Sequence, residues 1–238
     1  MQIRAEMPET GGRKIQTHLY QTAYGDSITI GRDRLFDLLR SYGLLYKRKA
    51  RRINTSVSDP DSKVYPNLLE GMTVTRPNQV WVTDITYLHL ANGKHCYLSL
   101  MTDYFSRKII GWSLQDNMTA ESTLETFEQA YLDIRPTKDL IHHSDKGSQY
   151  TSEIYTKRLI KCGLKISMTG DKKCYDNAVA ERINGILKHE FYLKDRFLDI
   201  KQARKVAANA IYLYNNKRLH LSLNYQTPSN VYSKSLAA

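Results

Sequence analysis

Three cysteines, six prolines and no run of 18 apolar residues occur in the 238 residues. Cys96, Cys162 and Cys174 show no paired spacing, and there is no Cys-x-x-Cys motif or matching histidine pair. A disulfide framework and a zinc module are therefore excluded, and buried thiols in a reducing compartment are expected. Without a long apolar run, no membrane-spanning helix is expected. The opening Met-Gln-Ile-Arg-Ala-Glu-Met-Pro-Glu lacks the apolar stretch of a signal peptide, and residues 1–10 are expected to be disordered. No heptad run marks a zipper.

Acidic residues are scarce at the C-terminal end. The net charge is +11, unevenly spread. Residues 1–75 carry 12 basic and 8 acidic side chains, residues 76–181 carry 13 of each, and residues 182–238 carry 10 basic and 3 acidic. A neutral centre with basic flanks suits a protein that grips phosphates at its edges and keeps acids in the middle. Lys47-Arg48-Lys49-Ala50-Arg51-Arg52 is the densest basic run. It is expected to cross phosphates, with a solvated tail as the alternative.

The chain divides by composition. Residues 1–52 read as a small helical, basic region. Leu35, Leu38 and Leu39 line one helix face, and Gly43 stops that helix. Residues 53–75 are rich in Ser, Asp, Pro and Gly and read as a linker, within which Val64–Leu69 is expected to dock on the core. Residues 76–199 alternate strand and helix, and residues 200–238 read as a helix followed by a basic tail. The expected strands are 80–90, 95–103, 108–114, 140–144 and 164–168, with Ala91-Asn92-Gly93 as a hairpin turn and Thr119 capping a helix.

Within that core, carboxylates occupy unusual settings. Asp84 sits in Val80-Trp-Val-Thr-Asp-Ile-Thr-Tyr-Leu88, a run that alternates like a buried strand. Burying an acid there is unfavourable unless it is paired or binds a metal. Asp145 ends a short strand, after His142 and His143, which read as structural. Glu181 lies on a helix starting at Asp176 or Asn177, with Val179, Ile183, Ile186 and Leu187 as the apolar stripe. Asn177, Glu181, Asn184 and Lys188 share its other face. Asp103 and Asp116 read as turn residues.

Trp81-Val-Thr-Asp84-Ile-Thr-Tyr87, His143-Ser-Asp145-Lys-Gly-Ser-Gln-Tyr150 and Asp176-Asn-Ala-Val-Ala-Glu181-Arg-Ile-Asn184 together resemble the three signatures of a retroviral-integrase-like core of insertion-sequence transposases. Lys188 matches the family's basic residue seven positions past the glutamate. Tyr214-Asn-Asn-Lys217-Arg218-Leu-His220 resembles its C-terminal signature, with Leu219 where the family usually has proline. The chain is similar to the B protein of two-reading-frame transposases over residues 11–232.

The resemblance implies an α/β fold, a ribonuclease-H-like integrase core of five mixed strands with flanking helices, beside a small helical N-terminal region. That region is a degenerate helix-turn-helix or a plain helical hairpin. It implies a DDE transposase that cleaves and joins DNA strands, with Asp84, Asp145 and Glu181 as catalytic and metal-binding residues. Oxygen-only ligands point to Mg²⁺ or Mn²⁺, two ions by family expectation, with Asp84 shared between them. Lys188, Lys217, Arg218 and the 47–52 run are expected to bind DNA. Asn177 and Asn184 are placed either to contact DNA or to cap and solvate their helix. Double-stranded DNA, further copies of the chain and an upstream-frame protein or fusion are the implied partners, in bacterial cytoplasm at the nucleoid. The competing readings are a DNA-binding or regulatory subunit that needs the upstream partner, and a ribonuclease-H-class nuclease.

Overall fold

The computed structural model describes residues 2–22, 29–46, 64–136, 139–170 and 177–237. The basic run from Lys47 to Arg52, most of the linker, Cys174 and Asp176 lie outside the described residues. Chain order begins with α1 (Gln2–Glu6), α2 (Gly12–Gln21) and α3 (Arg32–Ser41). It continues with β1 (Val80–Leu90), β2 (His95–Asp103), β3 (Ile109–Gln115), α4 (Ala120–Ile134) and β4 (Ile141–Ser144). Then come α5 (Ser148–Thr151), α6 (Glu153–Lys161), β5 (Lys165–Met168), α7 (Ala178–Glu190), β6 (Arg196–Phe197), α8 (Ile200–Asn216) and α9 (Pro228–Ala237).

The strands form one mixed sheet in the order β3-β2-β1-β4-β5, with β6 added alongside the end of β1. β1 and β2 form a hairpin because Gly93 adopts φ 82° and Asn92 Oδ1 accepts from Lys94 N–H at 3.0 Å. β1 and β4 run parallel, so the chain between them crosses over through α4. Thr119 caps α4 through a reciprocal bond with Ser122. Gly111 lets α4 approach β3: a Cβ there would lie 2.7 Å from Thr126 O.

Each sheet face carries its own core. Trp81, Met101, Phe127, Tyr155 and Leu159 are buried under α4 and α6. Leu88, Leu98, Leu114, Ile183, Leu187 and Ala207 are buried under α7 and α8. Together they account for the long apolar runs in β1 and β2.

Several expectations need correction. Residues 2–10 are ordered: Met7 is buried in the main core, and the Arg4 guanidinium donates to Pro8 O, Thr10 O and Leu44 O at 2.6–2.8 Å. Leu38 is 43% exposed, so Ile15, Leu35 and Leu39 form the α2–α3 contact without it. The tail after Asn216 is no loose basic loop. It folds through a single 3-10 turn into α9, whose Tyr232 hydroxyl bonds to Asn78. The expected docking of the linker's end holds: Tyr65 packs against the core under α4 and α6, and Leu69, followed by Met72 and Val74, covers Val80, Val82 and Ile141. Asp103 does close a turn, accepting from Asn78 N–H and from Ser106 N–H and Oγ–H.

Candidate active site

Strand register brings the two aspartates level. β1 pairs with β4 as Val80↔Ile141, Trp81↔His142 and Val82↔His143. Two residues beyond the last of these pairs come Asp84 and Asp145, near enough for the charge of Asp145 to act on Asp84. β4 stops at Ser144, so Asp145 stands at the strand's end, where its Oδ1 accepts from Gly147 N–H at 3.0 Å. A Cβ at 147 would meet only the end of the Gln149 side chain, which could move aside, and Gly147 has an ordinary backbone conformation at φ -59°.

Both oxygens of Asp84 are held. Oδ1 accepts from Ile85 N–H at 2.9 Å, and Oδ2 accepts from Asn184 Nδ2 at 2.8 Å. Helix α7 supplies this second donor. Its Asn177 Nδ2 donates to Thr83 O at 3.1 Å, so the helix is tied to β1 at two points seven residues apart. Glu181 lies between them on the same face, exposed to solvent. Asn177 and Asn184 are themselves buried. The open, solvated face expected for these amides is thus corrected: both turn inward onto β1. Asn177 stands at the N-cap of α7 without a side-chain cap bond.

Electrostatics mark the same cluster. Burial, then the charge of Asp145, then that of Glu181 push the Asp84 carboxyl up to about 7, against the hydrogen bonds from Asn184 and Ile85. Burial also raises Asp145. Lys188 is lowered by burial and partly restored by the charge of Asp84. Below the pair, Tyr150 is buried, and its hydroxyl lies 3.2 Å from Thr83 Oγ1. This support carries no sequence signal beyond its place in the second motif.

The residues fit a hard divalent cation. Two recessed carboxylates repel each other, and Asn184 Oδ1 is buried without a hydrogen-bond partner among the described residues. That is an oxygen-rich cluster short of positive charge. No three His, Cys, Asp or Glu side chains converge tightly enough to hold one ion among the described residues. Glu181 reaches Asp84 through its field and is not packed onto it.

The remaining expected residues scatter. His142 is buried against the Tyr155 hydroxyl at 2.9 Å, and His143 is buried against Ser167 Oγ at 2.8 Å. Arg218 is buried: Nε and Nη2 donate to the two oxygens of Glu190 at 2.8 and 2.6 Å, joining the C-terminal segment to the end of α7. A surface role for Arg218 on DNA is thus corrected, whereas Lys217 is exposed. Among the described residues, no helix is long and apolar enough to cross a membrane.

Comparison with known proteins converges on one family. The description Integrase core domain matches residues 74–174, and a second of that name matches residues 162–228. The chain is 32% identical over 234 residues to the transposase for insertion sequence element IS904 of Lactococcus lactis subsp. lactis, covering 96% of this chain and 90% of that one. It is 37% identical over 221 residues to the 31 kDa protein of insertion element IS600 of Shigella sonnei, covering 92% and 79%. The HTLV-2 integrase catalytic core in complex with magnesium superposes with a TM-score of 0.53 at 20% identity, covering 66% of this chain and 97% of that one. The simian T-cell lymphotropic virus intasome, in complex with PP2A regulatory subunit B56 gamma, gives 0.56 at 16% identity, covering 97% and 73%. These two share the ribonuclease-H-like fold with the chain.

Proposed function

The chain belongs to the insertion-sequence transposases built on an integrase core, DDE enzymes that transfer DNA strands in transposition, and on that premise we propose that Asp84, Asp145 and Glu181 are its three catalytic carboxylates. The observation that supports this reading is that Asp84, two residues past the last β1–β4 pair and held by Asn184 of α7, lies close enough to feel the charges of both Asp145 and Glu181. Mg²⁺ or Mn²⁺, one ion or two, would be held by these oxygens and would supply the charge that activates an attacking hydroxyl and stabilises the departing 3′ oxygen.

The chain's own groups prepare that chemistry. Ile85 N–H and Asn184 fix the Asp84 carboxyl, and Gly147 N–H fixes Asp145. Lys188, beside Asp84, binds the phosphate at the scissile bond. In each transfer a new O–P bond forms as the P–O3′ bond breaks in line. Water as nucleophile gives a nick, and a DNA 3′-hydroxyl gives a joined strand. Lys217 and the 47–52 run grip flanking phosphates. The catalytic unit begins near residue 76 and includes α8, which closes the same core as β1 and β2, and likeness to an intasome supports a multimer that holds two DNA ends.

Metal-dependent cleavage and joining of the element's terminal repeats tests the assignment. Asp84→Asn, Asp145→Asn and Glu181→Gln should each abolish both steps while DNA retention stays within about two-fold. Retained cleavage in any of the three removes that residue from the catalytic set. Repeating the assay with the chain fused to the upstream reading-frame product separates a missing partner from a silent core.

A further inference from the structure

Beyond the acids, the β1 edge carries an aromatic patch that the chemistry above does not use. β4 pairs with β1 only through Val80–Val82, and β6 pairs with it only at His89 and Leu90. Between them this edge of β1 lacks a strand partner among the described residues. Tyr87 stands in that gap, 44% exposed. Its ring centroid lies 5.5 Å from His89 and 5.5 Å from His95, and the two histidines face each other across the hairpin at 4.8 Å. Lys188 places its ammonium 4.4 Å from the Tyr87 ring centroid and also interacts with Asp84. One lysine thus joins the aromatic patch to the carboxylates, and Arg196 lies beside His89 in the strand register.

Aromatic rings rimmed by cations take up nucleic-acid bases by stacking and phosphates by charge. An interior base has both faces covered by its neighbours and the last pair of an intact end offers one face, whereas an unpaired base offers both and can turn out of the duplex into the patch. Extrusion is least unfavourable where pairing is already broken. Resting on the reading of Asp84 as catalytic, we propose that Tyr87, flanked by His89 and His95, stacks one unpaired base of the DNA end whose phosphodiester meets Asp84, while Lys188 passes from the Tyr87 ring to the adjoining phosphate. Tyr87 is three residues from Asp84, so the two side chains leave opposite faces of β1, and Lys188, whose ammonium lies over the Tyr87 ring and interacts with Asp84, joins them round the open edge of the strand. Fraying of the end is thereby coupled to delivery of its phosphate into a recessed site.

Fluorescence anisotropy of the full chain, without divalent metal, tests this with two labelled terminal-repeat duplexes. One is blunt, and the other has its last three pairs mismatched. The wild type should bind the mismatched end more tightly. Tyr87→Ala should lose about ten-fold on that end and less than two-fold on the blunt one, and Tyr87→Phe should bind as the wild type. Equal loss on both ends, no loss on either, or no wild-type preference would overturn the platform. A matched cleavage assay keeps the two readings apart. Cleavage retained by Asp84→Asn would sink the catalytic assignment, whatever Tyr87→Ala does to binding.

Discussion

Asn184 Nδ2 donates a 2.8 Å hydrogen bond to Asp84 Oδ2, from the middle of α7 to the middle of β1. This bond holds the carboxylate by one oxygen and favours its charged form. Partners that orient a metal ligand typically contribute about 10–100-fold in metal affinity or activity. Asn184→Ala should therefore lower strand cleavage by about that factor and raise the Mg²⁺ concentration needed for half-maximal rate. DNA affinity should hold. Asn184→Asp should be worse, because it sets a third negative charge against Asp84. A metal titration of cleavage, run beside a binding assay, measures both effects.

Asp84 should weaken the metal-free fold at neutral pH. Its folded-state value of about 7 lies above the ordinary 3.8, so the folded protein binds the proton more tightly than the unfolded chain. The Asp84 contribution to stability is then most favourable below 3.8, falls as pH rises toward 7, and is flat above. Asp84→Asn removes the repulsion. After allowance for partial exposure of the residue, about 2 kcal/mol should be gained at pH 8, roughly 5 °C in Tm. A divalent cation should raise the Tm of the wild type by mass action and leave the variant nearly unmoved. Thermal melts at pH 4 and pH 8, with and without Mg²⁺, test both statements. A variant no more stable than the wild type at pH 8 would contradict them.

The parts of the fold legible in sequence are those in which a local pattern coincides with burial. β1 and β2 alternate or run apolar and are joined by an Asn-Gly turn, so their ends follow from residue order alone. Asp84 stands out for a related reason, because a carboxylate inside an apolar run is anomalous on local grounds, whereas Asp145 and Glu181 are legible only through the motifs that surround them. What escaped depends on contacts distant in sequence. Arg218 sits in a basic, Asn-rich stretch that resembles a surface loop, and only Glu190 on α7 makes its burial favourable. The helical fold of the tail needs Tyr232 to reach Asn78, 154 residues away. Asn177 and Asn184 show helical spacing, but which way their face turns is decided by β1.

The Glu190–Arg218 pair sets an acid limit on stability. Burial alone would raise the Glu190 carboxyl, but the hydrogen bonds and charge of Arg218, with Lys14 and Arg182, bring it below its ordinary 4.5. As pH falls below 4.5 the unfolded chain takes this proton first, so stability drops until the folded value is passed. From pH 6 down to pH 3, urea midpoints of the wild type should lose more than those of Glu190→Gln, since Asp84 acts alike in both. In Glu190→Gln they should start lower, by about 3 kcal/mol of stability. Parallel profiles for the two proteins would assign the acid limit to other groups.

Lys217 and Arg218 are neighbours in sequence with opposite surroundings, and this separates DNA binding from folding. Lys217 is exposed and has no ion-pair partner among those described, so its loss should leave the melting temperature unchanged. If it contacts a phosphate, Lys217→Gln should reduce the slope of log affinity against log salt by about one. Arg218→Gln should instead lower the melting temperature, because it leaves the Glu190 carboxylate buried without its bidentate partner. At temperatures where that variant stays folded, its salt slope should match the wild type. Neutralising the five cations between Lys47 and Arg52 supplies the scale for the comparison, with an expected reduction of several units in slope. A slope that changes for Arg218→Gln but not for Lys217→Gln would mean that the C-terminal segment meets DNA through a rearranged surface, with the Glu190 pair broken on binding.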